Sequence, residues 1–401
     1  MMKVESQVEH SLRHIPSGIW VLGFVSLLMD ISSEMIHSLL PLFMVTILGA
    51  STMAVGLVEG SRRSPLALVV KVFSGTLSDY LGKRKGLALF GYASGRIHQA
   101  SLCRSLWRRP RLDRSPAGQS RKRCAWRATR RHGRGHRPTA APGRRFRLAA
   151  VSRYGRAFFG PLLAVGLMLL WANDFRAVFW VAVLPGLMAV ALFLFGIHEP
   201  EHRQTSTGRN PFRWDNLTRL ASAYWWVVGF GAIFALARFS EAFLVLRAQH
   251  GGIPVALVPL VMVAMNLIYA LSAYPFGKLS DQMSHMKLLA LGLLVLIAAD
   301  LVLAMNDHWG AVLSGVGLWG LHMGMTQGLL ATMVADTAPA DLRGTAYGFF
   351  NLTSGLAMLI ASVLAGFLWD QFGASFTFYA GAMFCGIAVM GLTLYQLKID
   401  E

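Results

Sequence analysis

GTLSDYLGKRK, residues 75–85, has an echo in GKLSDQMSHMK, residues 277–287: the same glycine, the same Leu-Ser-Asp core and the same closing lysine. Each copy lies between two apolar runs, so each reads as a short polar turn joining two helices. One turn written twice marks an internal duplication. A second echo supports it, since SSEMI (32–36) and FSEAF (239–243) each sit in the first apolar run of their half.

Outward from these turns the chain is oily. Of its 401 residues 54% are hydrophobic and only 14% charged, and mean hydropathy is +0.48. That composition suits a polytopic membrane protein and not one soluble domain. A membrane-crossing helix needs about 20 mostly apolar residues. Candidate spans run over 17–47, 53–74, 157–173, 175–197, 221–247, 254–276, 288–306, 309–334, 344–369 and 374–396. A further run starts at Gly86 and stops at Arg96. The N-terminus is polar, and its first apolar run is too long for a cleaved signal peptide, so it reads as a retained span.

The connections set the topology. GKRK (82–85), HEPEHRQTSTGRNPFR (198–213) and SDQMSHMK (280–287) carry the basic residues, whereas LGAS (48–51), WAND (171–174) and MNDH (305–308) carry almost none. The positive-inside rule places the first group in the cytoplasm, and both termini with it. The expected organisation is an N-terminal half over 1–197, a cytoplasmic linker over 198–219 and a C-terminal half over 220–401.

The net charge of +18 resembles that of a nucleic-acid binder, but it is concentrated in one place. Residues 96–156 hold 18 Arg and one Lys against the single acid Asp113, which is half of the chain's 38 basic residues; 19 acids balance the remainder. So many Arg cannot form a span, each costing roughly 2.5–3.5 kcal/mol at a bilayer centre. The duplication offers another account. MVADTAPADLRGTAYGFF (333–350) should have a first-half counterpart near 132–150. HGRGHRPTAAPGRRF (132–146), translated one base later, permits MVADIAPPPPRGAAF, with the same spacing from Ala-Asp to Arg-Gly. Upstream, HQASLCRSLW permits TKPLFAVAFG, suited to a missing fourth span. The expectation is translation out of frame between about 96 and 156, with a smaller case at SRRSP (61–65). A genuine basic, disordered loop and a membrane-tethered nucleic-acid binder stay open beside it, as does an inactive product of a damaged gene.

The turn at 75–85 resembles the signature loop between the second and third helices of the major facilitator superfamily. The Ala-Asp-x-Ala-Pro-x-x-x-Arg-Gly pattern is similar to that of a bacterial branch of the same superfamily. The resemblance covers the chain except 96–156. It implies an all-α polytopic membrane protein with two six-helix repeats, twelve helices around a central cavity, and alternating access. Here about ten spans are intact, because helix four and part of helix three are missing. In the family such turns latch a cytoplasmic gate, a role carried to Gly75, Asp79, Gly82, Lys83 and Arg84, with the bland alternative that Lys83–Lys85 only set topology. The second copy keeps Gly277 and Asp281 but has Ser284 and His285, so its latch should be weaker. Asp336, Arg343 and Gly344 are expected to form a charge network or a capped turn.

Ionisable residues inside spans are expensive and default to functional candidates. Asp30, Glu34 and His37 share a face of the first span at steps of four and three. Arg238 and Glu241 are expected to do the same on the seventh. His322 and Gln327 lie within the tenth, His322 being either a proton carrier or a hydrogen-bonded packing residue. Glu34 and Glu241 are equivalent under the repeat and are expected to face each other across the cavity. No phosphate loop, nucleophile elbow, metalloprotease motif or Cys/His cluster occurs, so neither an enzyme, nor a cofactor, nor a metal site is expected. The function expected is proton-coupled secondary transport, as export of a small organic compound, by a monomer in the inner membrane. Its partners are the lipid bilayer, the substrate and protons, with no nucleic acid.

Overall fold

The computed structural model describes residues 17–63, 158–196, 218–339 and 342–400, and every regular element among them is helical. Helix α1 covers Ser17–Thr46. Thirty residues at 1.5 Å each give about 45 Å, enough to cross a bilayer with tilt. The chain then turns through Gly49, whose φ of 61° suits a residue without a Cβ, into α2, Thr52–Arg63. Helix α3, Phe158–Leu170, is followed by a tight turn with Ala172 and Asn173 at positive φ and by α4, Phe175–Gly196.

The C-terminal part continues with α5 (Ser222–Ala237), α6 (Ala242–His250), a 3-10 turn at Val255–Leu257, α7 (Pro259–Ser280) and α8 (His285–Met305). It ends with α9 (Trp309–Thr326), α10 (Leu329–Thr337), α11 (Arg343–Phe372) and α12 (Ala374–Asp400). Seven segments of the described residues are long and apolar enough to cross a membrane. Most follow the hydropathy reading closely. Two expected continuous spans differ. The seventh is split between α5 and α6, and the tenth between α9 and α10. At the second split the cause is local: Gly328 takes a left-handed φ of 85°, which ends the helical ladder. The basic stretch over 96–156, the residues from 64 onward in the second expected span, and most of the 198–219 linker lie outside the described residues.

The chain divides into two compact units. In the one that contains the N-terminal part of α1 and most of α4, Val25, Ala189 and Phe193 form a buried cluster, flanked by Val21, Leu28 and Val190. The Ser32 hydroxyl donates to the Ala182 carbonyl, so the two helices are also pinned by a polar contact.

The second unit holds the end of α1, with α2, α3 and α5–α12. Its helices approach closely at glycines. Gly320 of α9 lies on the backbone of Met265 in α7, and Gly315 lies on Leu303 of α8. Small residues at such crossings replace the hydrophobic driving force that lipid cannot supply. Around this packing, large apolar side chains such as Leu170, Leu271 and Met383 face outward, as expected of helices solvated by lipid.

Candidate functional site

The polar groups of the C-terminal part gather at the break between α5 and α6. Helix α5 stops at Ala237, Arg238 leaves helical geometry with φ −104° and ψ 74°, and α6 restarts at Ala242. The Ser240 hydroxyl accepts the Ala242 N–H at 3.3 Å, giving the backbone an alternative to the continuous ladder. Arg238 and Glu241 therefore do not share a face of one helix, as their spacing suggested. They flank an interruption. Arg238 sits at the negative C-terminal end of α5 and Glu241 at the positive N-terminal end of α6. Each charge meets the favourable pole of its own helix, worth about 0.3–1 kcal/mol apiece. This is how the sequence tolerates two charges within an apolar span.

Aromatic rings hold the break in place. Phe239 packs on Trp319 at 5.3 Å, Phe378 at 5.6 Å and Phe243 at 5.7 Å between centroids. The Arg238 guanidinium carbon lies 5.8 Å from the Phe234 ring centroid, within cation–π range. Tyr224, buried in α5, donates its hydroxyl to the Ala346 carbonyl at 3.0 Å and ties α5 to α11.

His322 lies beside this cluster, fully buried in α9, with its ring 5.7 Å from that of Phe234. Its Nδ1 is 2.7 Å from the Gly292 carbonyl oxygen. A carbonyl can only accept, so Nδ1 carries the proton. The histidine thus joins α9 to α8. Gln327 is not within a helix: it is exposed, extended, and forms the end of α9 next to Gly328.

In the other part of the sequence, Asp30, Glu34 and His37 do lie on one uninterrupted helix, α1, and all three are half-buried. Of the cytoplasmic-turn residues, Gly75, Asp79, Gly82, Lys83 and Arg84 lie outside the described residues. Asp281 ends α7, exposed, and among the described residues no atom approaches the position a Cβ would take on Gly277. Arg343 donates from Nε to the Ala335 carbonyl at 3.2 Å, and Tyr347 donates to the Ala331 carbonyl at 2.7 Å. Together they close α10 against α11. Asp336 is exposed beside them, and no atom of the described residues lies near the Cβ position of Gly344.

Three polar residues escaped the sequence reading of roles. Arg247, 1% exposed, donates to the Leu303 carbonyl at 2.8 Å and the Asn306 carbonyl at 3.0 Å, and pairs with Asp307 at 2.7 Å. Asp300 is fully buried in α8, against Gly381 and near Phe239, and neither of its carboxylate oxygens has a hydrogen-bond partner among the described residues. Asp370, at the end of α11, accepts from the start of α2. The four-residue spacing of Gly56 and Gly60 is a signal that could have pointed to the close helix contact beneath the last of these. Among the described residues no group of His, Cys, Asp and Glu could hold a metal ion.

Comparison with known proteins places this architecture. Residues 242–400 match the Major Facilitator Superfamily. The chain is 26% identical over 388 residues to the uncharacterised MFS-type transporter MJ1317 of Methanocaldococcus jannaschii, covering 92% of this chain and 93% of that one. It is 24% identical to the inner membrane transport protein YajR of Escherichia coli, over 92% of this chain and 81% of that protein. Among solved structures, the nucleoside transporter NupG is similar with a TM-score of 0.73 at 12% identity, over 95% of this chain and 99% of NupG. The peptide transporter POT is similar at 0.72 and 14%, over 95% and 94%. At such identities the structural likeness speaks for a shared fold.

Proposed function

We propose that the chain, which is similar to transporters of the major facilitator superfamily, is a proton-coupled secondary transporter that exports a small organic compound by alternating access. The observation that carries the proposal is the interrupted seventh span. Breaks of this kind, with charged groups on half-helix ends, are how transporters place polar substrate contacts at membrane depth without exposing backbone to lipid. Arg238 and Glu241 offer one cation and one anion there. Phe234 and Phe239 supply apolar surface beside them.

The proton-carrying pair is Asp30 and Glu34, one helical turn apart on α1. Loading a proton on one side of the membrane and losing it on the other would couple substrate movement to the gradient. Asp281, Asp336 and Arg343 mark cytoplasmic turns whose rearrangement would accompany the change of access. The protein acts as a monomer in the cell membrane with both termini in the cytoplasm.

The test is substrate flux in proteoliposomes with an imposed pH gradient, comparing the parent with Glu34→Gln. Gradient-driven flux should fall at least tenfold, while substrate exchange without a gradient survives. Gradient-driven flux that stays undiminished with the same pH dependence would exclude Glu34 as the coupling carboxylate.

A further inference from the structure

One end of α2 is held from outside its own sequence neighbourhood. The Thr52 N–H donates to Asp370 Oδ1 at 2.9 Å, and the Met53 N–H donates to Asp370 Oδ2 at 2.9 Å. The Thr52 hydroxyl shares its one proton between Asp370 Oδ1 at 2.7 Å and the Gly366 carbonyl at 2.9 Å. The first N–H groups of a helix have no partner within it, and a carboxylate there is favoured by the helix dipole as well. Asp370 therefore does for α2 what an N-cap residue does, but from the far end of α11.

Below the cap the two helices meet along a seam built largely of glycine and backbone, with the Leu359 side chain against Gly60. A Cβ on Gly56 would overlap the Ser362 carbonyl, and one on Gly366 would overlap the backbone of Thr52 and Met53. One on Gly60 would come within 3.1 Å of the Leu359 Cα. Backbones this close pack well only while the seam stays shut. The turns at both capped ends, 48–51 and 372–375, contain no basic residue and face away from the cytoplasm on the positive-inside reading.

We propose that α2 and α11 form an outer gate whose latch is Asp370: the carboxylate holds the first turn of α2, and it must release before the seam can part. The proposal rests on the alternating-access reading, because a gate on this side has meaning only if the protein opens there. It adds a positioning residue and a named seam to that reading. The latch is one-sided by construction, since in its contacts α2 brings N–H and hydroxyl donors and α11 brings the carboxylate.

The experiment uses the full chain in right-side-out vesicles, with Leu359→Cys placed beside Gly60 and with Cys103 and Cys124 changed to Ser. A membrane-impermeant maleimide is added from outside, and labelling of position 359 is timed. Asp370→Ala should speed labelling about tenfold, the size expected for loss of a helix cap. Asp370→Asn should fall between Ala and the parent, since it keeps an acceptor without the charge, and Asp370→Glu should restore slow labelling. Melting of each variant in detergent checks that it folds. Should Asp370→Ala fail to fold, Thr52→Ala removes only the hydroxyl contacts and should speed labelling less. Equal labelling with and without Asp370 would overturn the latch and leave alternating access standing. Absence of labelling in every folded variant would show that the seam never opens, and would overturn the gate itself.

Discussion

Arg247 shows how a single side chain can be structural while looking topogenic. In the sequence it ends an apolar run, where a long cation is expected to snorkel toward water. Instead it is buried, and its guanidinium satisfies carbonyls at the end of α8, 56 residues away. Its anionic partner Asp307 is 78% exposed. The two halves of this ion pair should therefore behave very differently. Arg247→Ala leaves the Leu303 and Asn306 carbonyls without their donors inside the protein, an expected cost of about 2–4 kcal/mol. Asp307→Asn removes a charge that water already screens and should cost under about 1 kcal/mol. Thermal melting in detergent checks the order, and equal losses would contradict it. Asp370 was illegible for the same reason as Arg247: its donor lies 318 residues away, and nothing local to either residue announces the other. Asp30, Glu34 and His37 were legible as a face because helical spacing alone fixes it.

At the level of elements, hydropathy located helices well and their interruptions badly. A window of about 20 residues averages over a break of four, and Arg238–Glu241 sits within enough Phe, Leu and Val to keep the mean high. The second break had a readable sign in Gly328, but glycine is common inside membrane helices and did not stand out. Its backbone makes the distinction testable. Gly328, with φ 85°, is in a conformation that L-residues adopt at a cost. Gly328→Ala should destabilise by about 1 kcal/mol or more. Gly277, helical and with no atom of the described residues where a Cβ would go, should accept alanine with no loss and a gain of up to about 1 kcal/mol. Melting of the two variants should move in opposite directions. A shared direction would mean that the break between α9 and α10 does not depend on Gly328.

For the molecule as a whole, the twofold repeat was visible in the turns at 75–85 and 277–287, and it led to the transporter fold. What it could not supply is the part of the chain that breaks the repeat. We propose that residues between about 96 and 156 result from translation out of frame, because one base of shift permits 132–146 to be read as a counterpart of 333–347. The coding DNA should then differ from that of relatives by an insertion or deletion near each end of the stretch. A frame continuous with intact relatives throughout would remove this explanation and leave a real basic segment to account for.

The glycine seam between α2 and α11 carries one more consequence, for temperature. When helices packed through leucine and phenylalanine separate, they uncover apolar area, and the heat capacity rises with it. Gly56, Gly60 and Gly366 have no side chains to uncover, and their neighbour Ser362 has a small one. Apart from Leu359 against Gly60 and Phe243 against Gly56, parting this seam exposes mostly backbone that is already hydrogen-bonded within its own helix. The opening equilibrium should therefore have little curvature in temperature, so that a cell growing in the cold and one growing warm would hold this side of the protein closed to much the same degree.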